Sequence, residues 1–189
     1  MTHYLDIVLR PDPDFPTPML MGALYSKLHR ALAELGADDI GISLPAHKNG
    51  VQARRPGETL RVHGAADRLE TLLATGWLNG MRDHVEVGEV FPIPGNAVHR
   101  TVRRRQFKTN ADRLRRRRMR RHNESEAQVV EAIPDSIEER VTLPFIQVRS
   151  ASTGQRFSLF IEHGPKQDTP AQGQFNSYGL SSTATVPWF

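Results

Sequence analysis

The chain has 189 residues, 38% of them hydrophobic, and a formal charge of only +4; that is enough apolar material for one moderate domain or two small ones, and too much for a disordered chain. It contains no cysteine, which excludes a disulfide framework, a thiolate metal site and a thiol nucleophile, and agrees with a reducing compartment. The opening MTHYLDIVLRPD has no signal-peptide core, and nowhere do about 18 apolar residues run together, so a soluble cytoplasmic protein without a membrane partner is expected.

Along the first half, hydrophobic period separates strands from helices. In YLDIVLR, Leu5, Ile7 and Leu9 alternate with Tyr4, Asp6, Val8 and Arg10, a strand pattern. Four prolines in PDPDFPTP interrupt the chain, and PMLMGALYSKLHRALAELG then repeats Leu20, Leu24, Leu28, Ala31 and Leu35 at helical spacing until Gly36. IGISL and TLRVHG read as two further strands joined by a polar loop. AADRLETLLATGWL reads as a second helix and HVEVGEVFPIP as a fourth strand. The order β-α-β-β-α-β is the split arrangement of a ferredoxin-like domain over residues 1–94. After Pro94 the texture becomes polar and basic, so 95–189 is expected to be an irregular α/β C-terminal domain, although one compact unit with an elaborated second half fits the same pattern. Within it, LPFIQVRSASTGQRFSLFIEHGP shows two strand-like runs around a Ser/Thr/Gly turn, and the Gly- and Ser-rich end carries aromatic anchors. The fold class is α+β.

Charge is concentrated in one place. Residues 100–121 hold twelve of the 25 Lys and Arg and a single acid, Asp112, while the remainder has thirteen basic and twenty acidic residues. A mildly acidic body therefore bears one cationic element, and its target is local and strongly negative. Asn110 is a good N-cap and Asp112 suits the first turn of a helix over about 110–122. At about 100° per residue, Arg113, Arg116, Arg117, Arg120 and Arg121 fall within an arc of roughly 140°, with Arg115 and Arg118 opposite. Only Leu114 and Met119 are apolar and they lie apart, so the helix is expected to protrude or rest lightly, with its guanidinium groups available. Arginine is used to the exclusion of lysine, which suits two-pronged contacts to phosphate or guanine, and Arg104 and Gln106 just upstream can grip base edges. Nucleic acid is the favoured partner. An A-form duplex hides its deep groove, so a helix entering it needs a short stem, a loop end or a distorted end.

Eight histidines are spread through the chain, none in an HxxxH or HExxH pair, and no metal ligand set is assigned. His29 differs from the others in lying on the first helix at the rim of its buried face, one turn after Tyr25, where it could face a groove. On residue type alone it is most often a partly buried, hydrogen-bonded histidine, Ser150 and Ser152 most often turn formers, and Tyr178 a packed aromatic.

Several ordered blocks at matching spacing change that reading: YLDIVLRPDPDFP, KLHRAL, RRQFKTN, the arginine run through RRMRRH, RSASTGQRF, EHGP, YGLS and VPWF. Together they resemble the type I-F CRISPR repeat-RNA endoribonucleases over nearly the whole chain. The resemblance implies a ferredoxin-like domain followed by an irregular part with an arginine helix, and a protein that cuts pre-crRNA at the 3′ base of a short stem-loop without metal or other cofactor and stays on its product. It makes His29 the proton acceptor for the ribose 2′-hydroxyl, with Ser150 holding that ribose, Tyr178 orienting the imidazole and Ser152 assisting. It makes Phe157 the platform for the last base pair, Arg104 and Gln106 the readers of the lowest pairs, and Arg117, Arg120 and Arg121 the groove and phosphate contacts, helped by Arg113, Arg116 and His122. The partners it implies are the repeat RNA hairpin and other subunits of a type I-F guide-RNA surveillance complex, the protein alone being a monomer. The glycine-rich loop of the wider group of repeat-processing nucleases is not evident. The competing expectation is a non-catalytic RNA-hairpin-binding subunit of a guide-RNA ribonucleoprotein, although the [KR]G[FY][GA]FV-like strand of common RNA-recognition domains is missing.

Overall fold

The computed structural model describes residues 1–51, 54–107, 111–134, 141–149 and 153–189, with the backbone alone at Arg113. Two compact units emerge, Met1–Arg105 with Leu143–Phe189, and Gln106–Thr142.

In the first unit, alternation buries Leu5, Ile7 and Leu9 of β1 (His3–Leu9). Helix α1 (Thr17–Glu34) starts between Pro16 and Pro18, whose missing N–H groups cost nothing in a first helical turn. It stops at Gly36, which takes a φ of +57° that a side chain would resist. The chain continues through β2 (Gly41–Ser43), β3 (Thr59–Gly64), α2 (Ala66–Ala74), β4 (Val85–Val87) and β5 (Phe91–Pro92). These strands form a sheet of order β2-β3-β1-β4, with β5 also on β1 and every neighbouring pair antiparallel.

The single strand expected over HVEVGEVFPIP is interrupted. Ile7 faces Val87 but Tyr4 faces Phe91, so the register moves by one residue between the two segments. Gly88 N–H still donates to Asp6 O (2.9 Å), which places the extra residue at Glu89–Val90 as a bulge. Periodicity cannot foresee this, because alternation continues on either side of the inserted residue.

The second sheet has the order β7-β8-β6-β9, built from β6 (Val98–Arg105), β7 (Phe145–Arg149), β8 (Arg156–His163) and β9 (Thr185–Trp188), again antiparallel throughout. Pro187, which has no N–H to give a ladder, is accommodated because β9 is an edge strand. Buried side chains from both sheets form one cluster, from Leu5, Ile7 and Tyr25 to Ile146, Leu159, Ile161 and Val186.

The second unit is a helical hairpin of α3 (Ala111–His122) and α4 (Glu126–Ala132). Asn123 makes the turn at φ +52° while its N–H donates to Met119 O (2.9 Å), the usual left-handed close of a helix. Ser125 and Gln128 then make a reciprocal capping box that starts α4. The fold class is thus α+β, with two antiparallel sheets and four α-helices among the described residues.

Two histidines are held in the interior. His63 on β3 is fully buried, its Nε2 lying 2.8 Å from Ser43 Oγ. His163 accepts from Leu44 N–H (3.3 Å) and stacks on His47 (3.9 Å). Burial, before any neighbouring charge, pushes each imidazole down to about 3. An unfolded histidine binds its proton near 6.5, so between about 6.5 and 3 the unfolded state holds more protons than the native one. Stability is therefore present above 6.5 and is lost as pH falls through that window, by up to about 1.4 kcal/mol per pH unit for each histidine. Denaturant midpoints measured from pH 7 to 4 should fall steadily, and His163→Asn should flatten the slope by about one proton.

Candidate active site and cationic surfaces

His29 lies half-buried on α1, one turn beyond Tyr25 and Ser26, beside the buried stripe Leu20, Leu24 and Leu28. Its Nδ1 is 2.9 Å from Ser177 O. A carbonyl oxygen can only accept, so Nδ1 carries the hydrogen and a neutral ring keeps its lone pair on Nε2. The ring lies flat on Tyr178, with centroids 3.7 Å apart and planes 4° from parallel. Tyr25 sits below, and its hydroxyl donates to Tyr178 O at 2.7 Å. Burial pushes the pKa of that hydroxyl well up, so it remains a donor. The imidazole thus has its plane fixed by one ring and its tautomer by one carbonyl, and in the neutral ring the lone pair lies on Nε2.

Strand β7 lies close along α1. At Gly22 a Cβ would collide with Gln147 O, so glycine there lets the β7 backbone approach the helix. Between them runs a groove of about 510 Å³, lined by Met19, Ala23 and Ser26 on the helix and by Val148 and Arg149 on the strand. β7 ends at Arg149, and Ser150 and Ser152 lie outside the described residues. On β8, Phe157 pairs across from Val148 and is half-buried. Exposed Arg104 of β6 sets its guanidinium 5.5 Å from the Phe157 ring centroid, a cation–π distance. Its neighbours Arg103 and Arg105 both reach Glu162, at 2.8 and 3.5 Å, and Arg103 holds that carboxyl below the usual range. The structure therefore brings Arg104 and Phe157 together and commits the flanking arginines to a carboxylate. Among the described residues, no three His, Asp or Glu side chains converge as metal ligands, and no helix is long and apolar enough to cross a membrane.

In the second unit the arginines of α3 sort into two groups. Arg115 donates to Ile133 O at the end of α4 (2.9 Å) and pairs with Asp112 (3.1 Å). Arg118 grips Glu124 through Nε and Nη2, at 2.6 and 3.1 Å. The helix is not the unattended rod its sequence suggests: α4 packs against it, with Val129 fully buried. Arg118, for which the charge pattern offers no particular role, helps to fasten the hairpin turn. Arg116, Arg117, Arg120, Arg121 and His122 are exposed; Arg116 donates weakly to Asp112 O (3.4 Å), and Arg117, Arg120 and Arg121 have no ion-pair partner among the described residues. The N-cap expected at Asn110 and the side chain of Arg113 lie outside the described residues. Gln106 follows β6 and belongs to this unit. Sequence reasoning missed α4, although its Ser-x-x-Gln capping box was there to be read.

The chain thus combines two antiparallel sheets, a helix-borne imidazole held by a backbone carbonyl and a stacked tyrosine, and an arginine helix. Residues 4–189 match the family described as CRISPR-associated protein (Cas_Csy4), and the chain belongs to that family. It is 51% identical to the CRISPR-associated endonuclease Cas6/Csy4 of Pseudomonas aeruginosa (strain UCBPP-PA14) and 44% identical to that of Escherichia coli (strain UTI89 / UPEC), over all of both chains in each case. A solved structure described as "An RAMP protein binding different RNA substrates" matches 98% of this chain and 100% of its own at 12% identity with a TM-score of 0.34, too distant to bear on the fold.

Proposed function

We propose that the protein is the endoribonuclease that cuts CRISPR repeat stem-loops in pre-crRNA once, at the 3′ base of the stem, and keeps the mature crRNA. The observation that carries this reading is the fixed Nδ1–H form of His29, in a chain whose full-length relatives are named CRISPR-associated endonucleases. His29 Nε2 takes the proton of the 2′-hydroxyl, the 2′-oxygen attacks the adjacent phosphorus, the P–O5′ bond breaks, and the leaving 5′-oxygen takes up a proton from solvent water. The products are a 2′,3′-cyclic phosphate and a 5′-hydroxyl. The nucleophile is already tethered to its target, so alignment supplies much of the rate and no metal is needed. Ser150 holds the ribose with help from Ser152, and Tyr178 orients the imidazole.

Phe157 stacks the last base pair while Arg104 and Gln106 read the lowest pairs. Arg117, Arg120 and Arg121 hold the groove and phosphates, aided by Arg113, Arg116 and His122. In this reading residues 1–94 form a ferredoxin-like domain with the catalytic histidine, which the antiparallel order β2-β3-β1-β4 supports, and 95–189 form the RNA-binding part. The protein works in the cytoplasm as a monomer until it meets other subunits of a type I-F guide-RNA complex. The test is a repeat hairpin incubated with the protein in EDTA, followed by analysis of the ends. One cut leaving a cyclic phosphate and a 5′-hydroxyl is expected. Tight binding without a cut would make it a hairpin-binding subunit instead, and a 3′-hydroxyl end would remove the mechanism.

A further inference from the structure

The carbonyl that fixes His29 sits in a turn built around one amide side chain. Gly179 N–H donates to Asn176 O (2.8 Å), and Asn176 N–H donates to Leu180 O (3.0 Å). Inside this loop Asn176 Oδ1 accepts from two backbone groups, Tyr178 N–H at 2.9 Å and Leu180 N–H at 3.2 Å. Gly179 takes φ +68°, and its carbonyl accepts from Ile42 N–H of β2 (2.9 Å), which anchors the turn to the first sheet. Two groups of the turn meet the imidazole, Ser177 O and the Tyr178 ring. They lie between residues whose backbone orientation Asn176 Oδ1 sets.

We propose that Asn176 is a positioning residue for His29: by holding the Asn176–Leu180 turn closed, its side-chain oxygen aims the Ser177 carbonyl at Nδ1 and keeps the reactive lone pair on Nε2. The role requires an acceptor with two lone pairs at that spot, not an amide as such. Aspartate supplies one at the same reach, whereas alanine leaves two N–H groups of the turn unpaired. The inference rests on His29 being the proton acceptor for RNA cleavage, and it acts through His29 without touching RNA.

The test has two readouts on the full chain. Nitrogen-15 spectra of the histidine side chains in the free protein report which ring nitrogen of His29 carries hydrogen, and single-turnover cleavage of a repeat hairpin reports the rate beside a separate binding measurement. Asn176→Ala should convert His29 from one tautomer to a mixture and slow cleavage by about 10- to 100-fold, with hairpin affinity within about twofold. Asn176→Asp should restore both readouts. Should the alanine variant not fold, Asn176→Ser, whose hydroxyl can accept one of the two bonds, takes its place with an intermediate loss. An unchanged tautomer and rate in the folded variant overturns the proposal. A changed tautomer with an unchanged rate supports the positioning and sinks the base role of His29 instead, so the two failures are separable.

Discussion

His29→Ala is expected to slow cleavage of the repeat hairpin by about 10² to 10⁴, the range that a general base contributes, while hairpin affinity stays the same. His29→Asn makes the test sharper. Its side-chain amide can still donate to Ser177 O, where Nδ1 donates now at 2.9 Å, but it places nothing at Nε2. If the imidazole acts as a base, the asparagine variant should be as slow as alanine with the Tyr178 turn undisturbed. Retained activity in His29→Asn would mean that the ring is there to anchor the turn and that the base lies elsewhere. The substrate offers the matching deletion: a 2′-deoxy nucleotide before the cut should stop cleavage and leave the complex intact, because the attacking oxygen is then missing. Cleavage of that RNA would dispose of 2′-hydroxyl attack whatever the His29 variants do.

How much of this was visible in the sequence depends on the range over which the determining contact acts. Period 2 in YLDIVLR and period 3.6 from Leu20 to Leu35 are local, and they yield β1 and α1 with a half-buried His29 beside the core stripe. The bulge at Glu89–Val90 left no mark in the alternation, because it arises from pairing with β1 some 80 residues earlier. The Nδ1 partner of His29 was out of reach for the same reason. It is a backbone carbonyl 148 positions away, and any residue type could have supplied it. On α3, angles alone separated Arg115 and Arg118 from the other arginines, but the partners that give the separation its meaning, Glu124 and the end of α4, required a helix that the composition hid. The role of Ser150 stands on resemblance, since that residue lies outside the described part of the chain.

That separation leads to the second large effect expected. Arg117, Arg120 and Arg121 are exposed cations without a carboxylate partner among the described residues, so no ion pair among those residues has to be broken for them to meet phosphate. Replacing all three by alanine should reduce the slope of log K against log[salt] by roughly two to three, at about 0.7–0.9 for each phosphate left without its cation. At near-physiological salt the affinity should fall by about 10²-fold or more, equally for matched and mismatched hairpins. Arg118→Ala removes the same formal charge from the same helix, yet Arg118 is already spent on Glu124, so the salt slope should barely move. Arg104→Ala should differ from both. Arg104 and Phe157 both belong to the first unit, where the guanidinium sits over the ring, and removing a fork on guanine costs about 1–3 kcal/mol of discrimination, so choice between stems should loosen more than overall affinity. Equal slopes for Arg118→Ala and Arg120→Ala would show that the ion pairs of the hairpin do not govern which cations reach RNA. Equal losses on matched and mismatched stems for Arg104→Ala would end its role as a reader, because a contact indifferent to sequence can only be gripping the backbone.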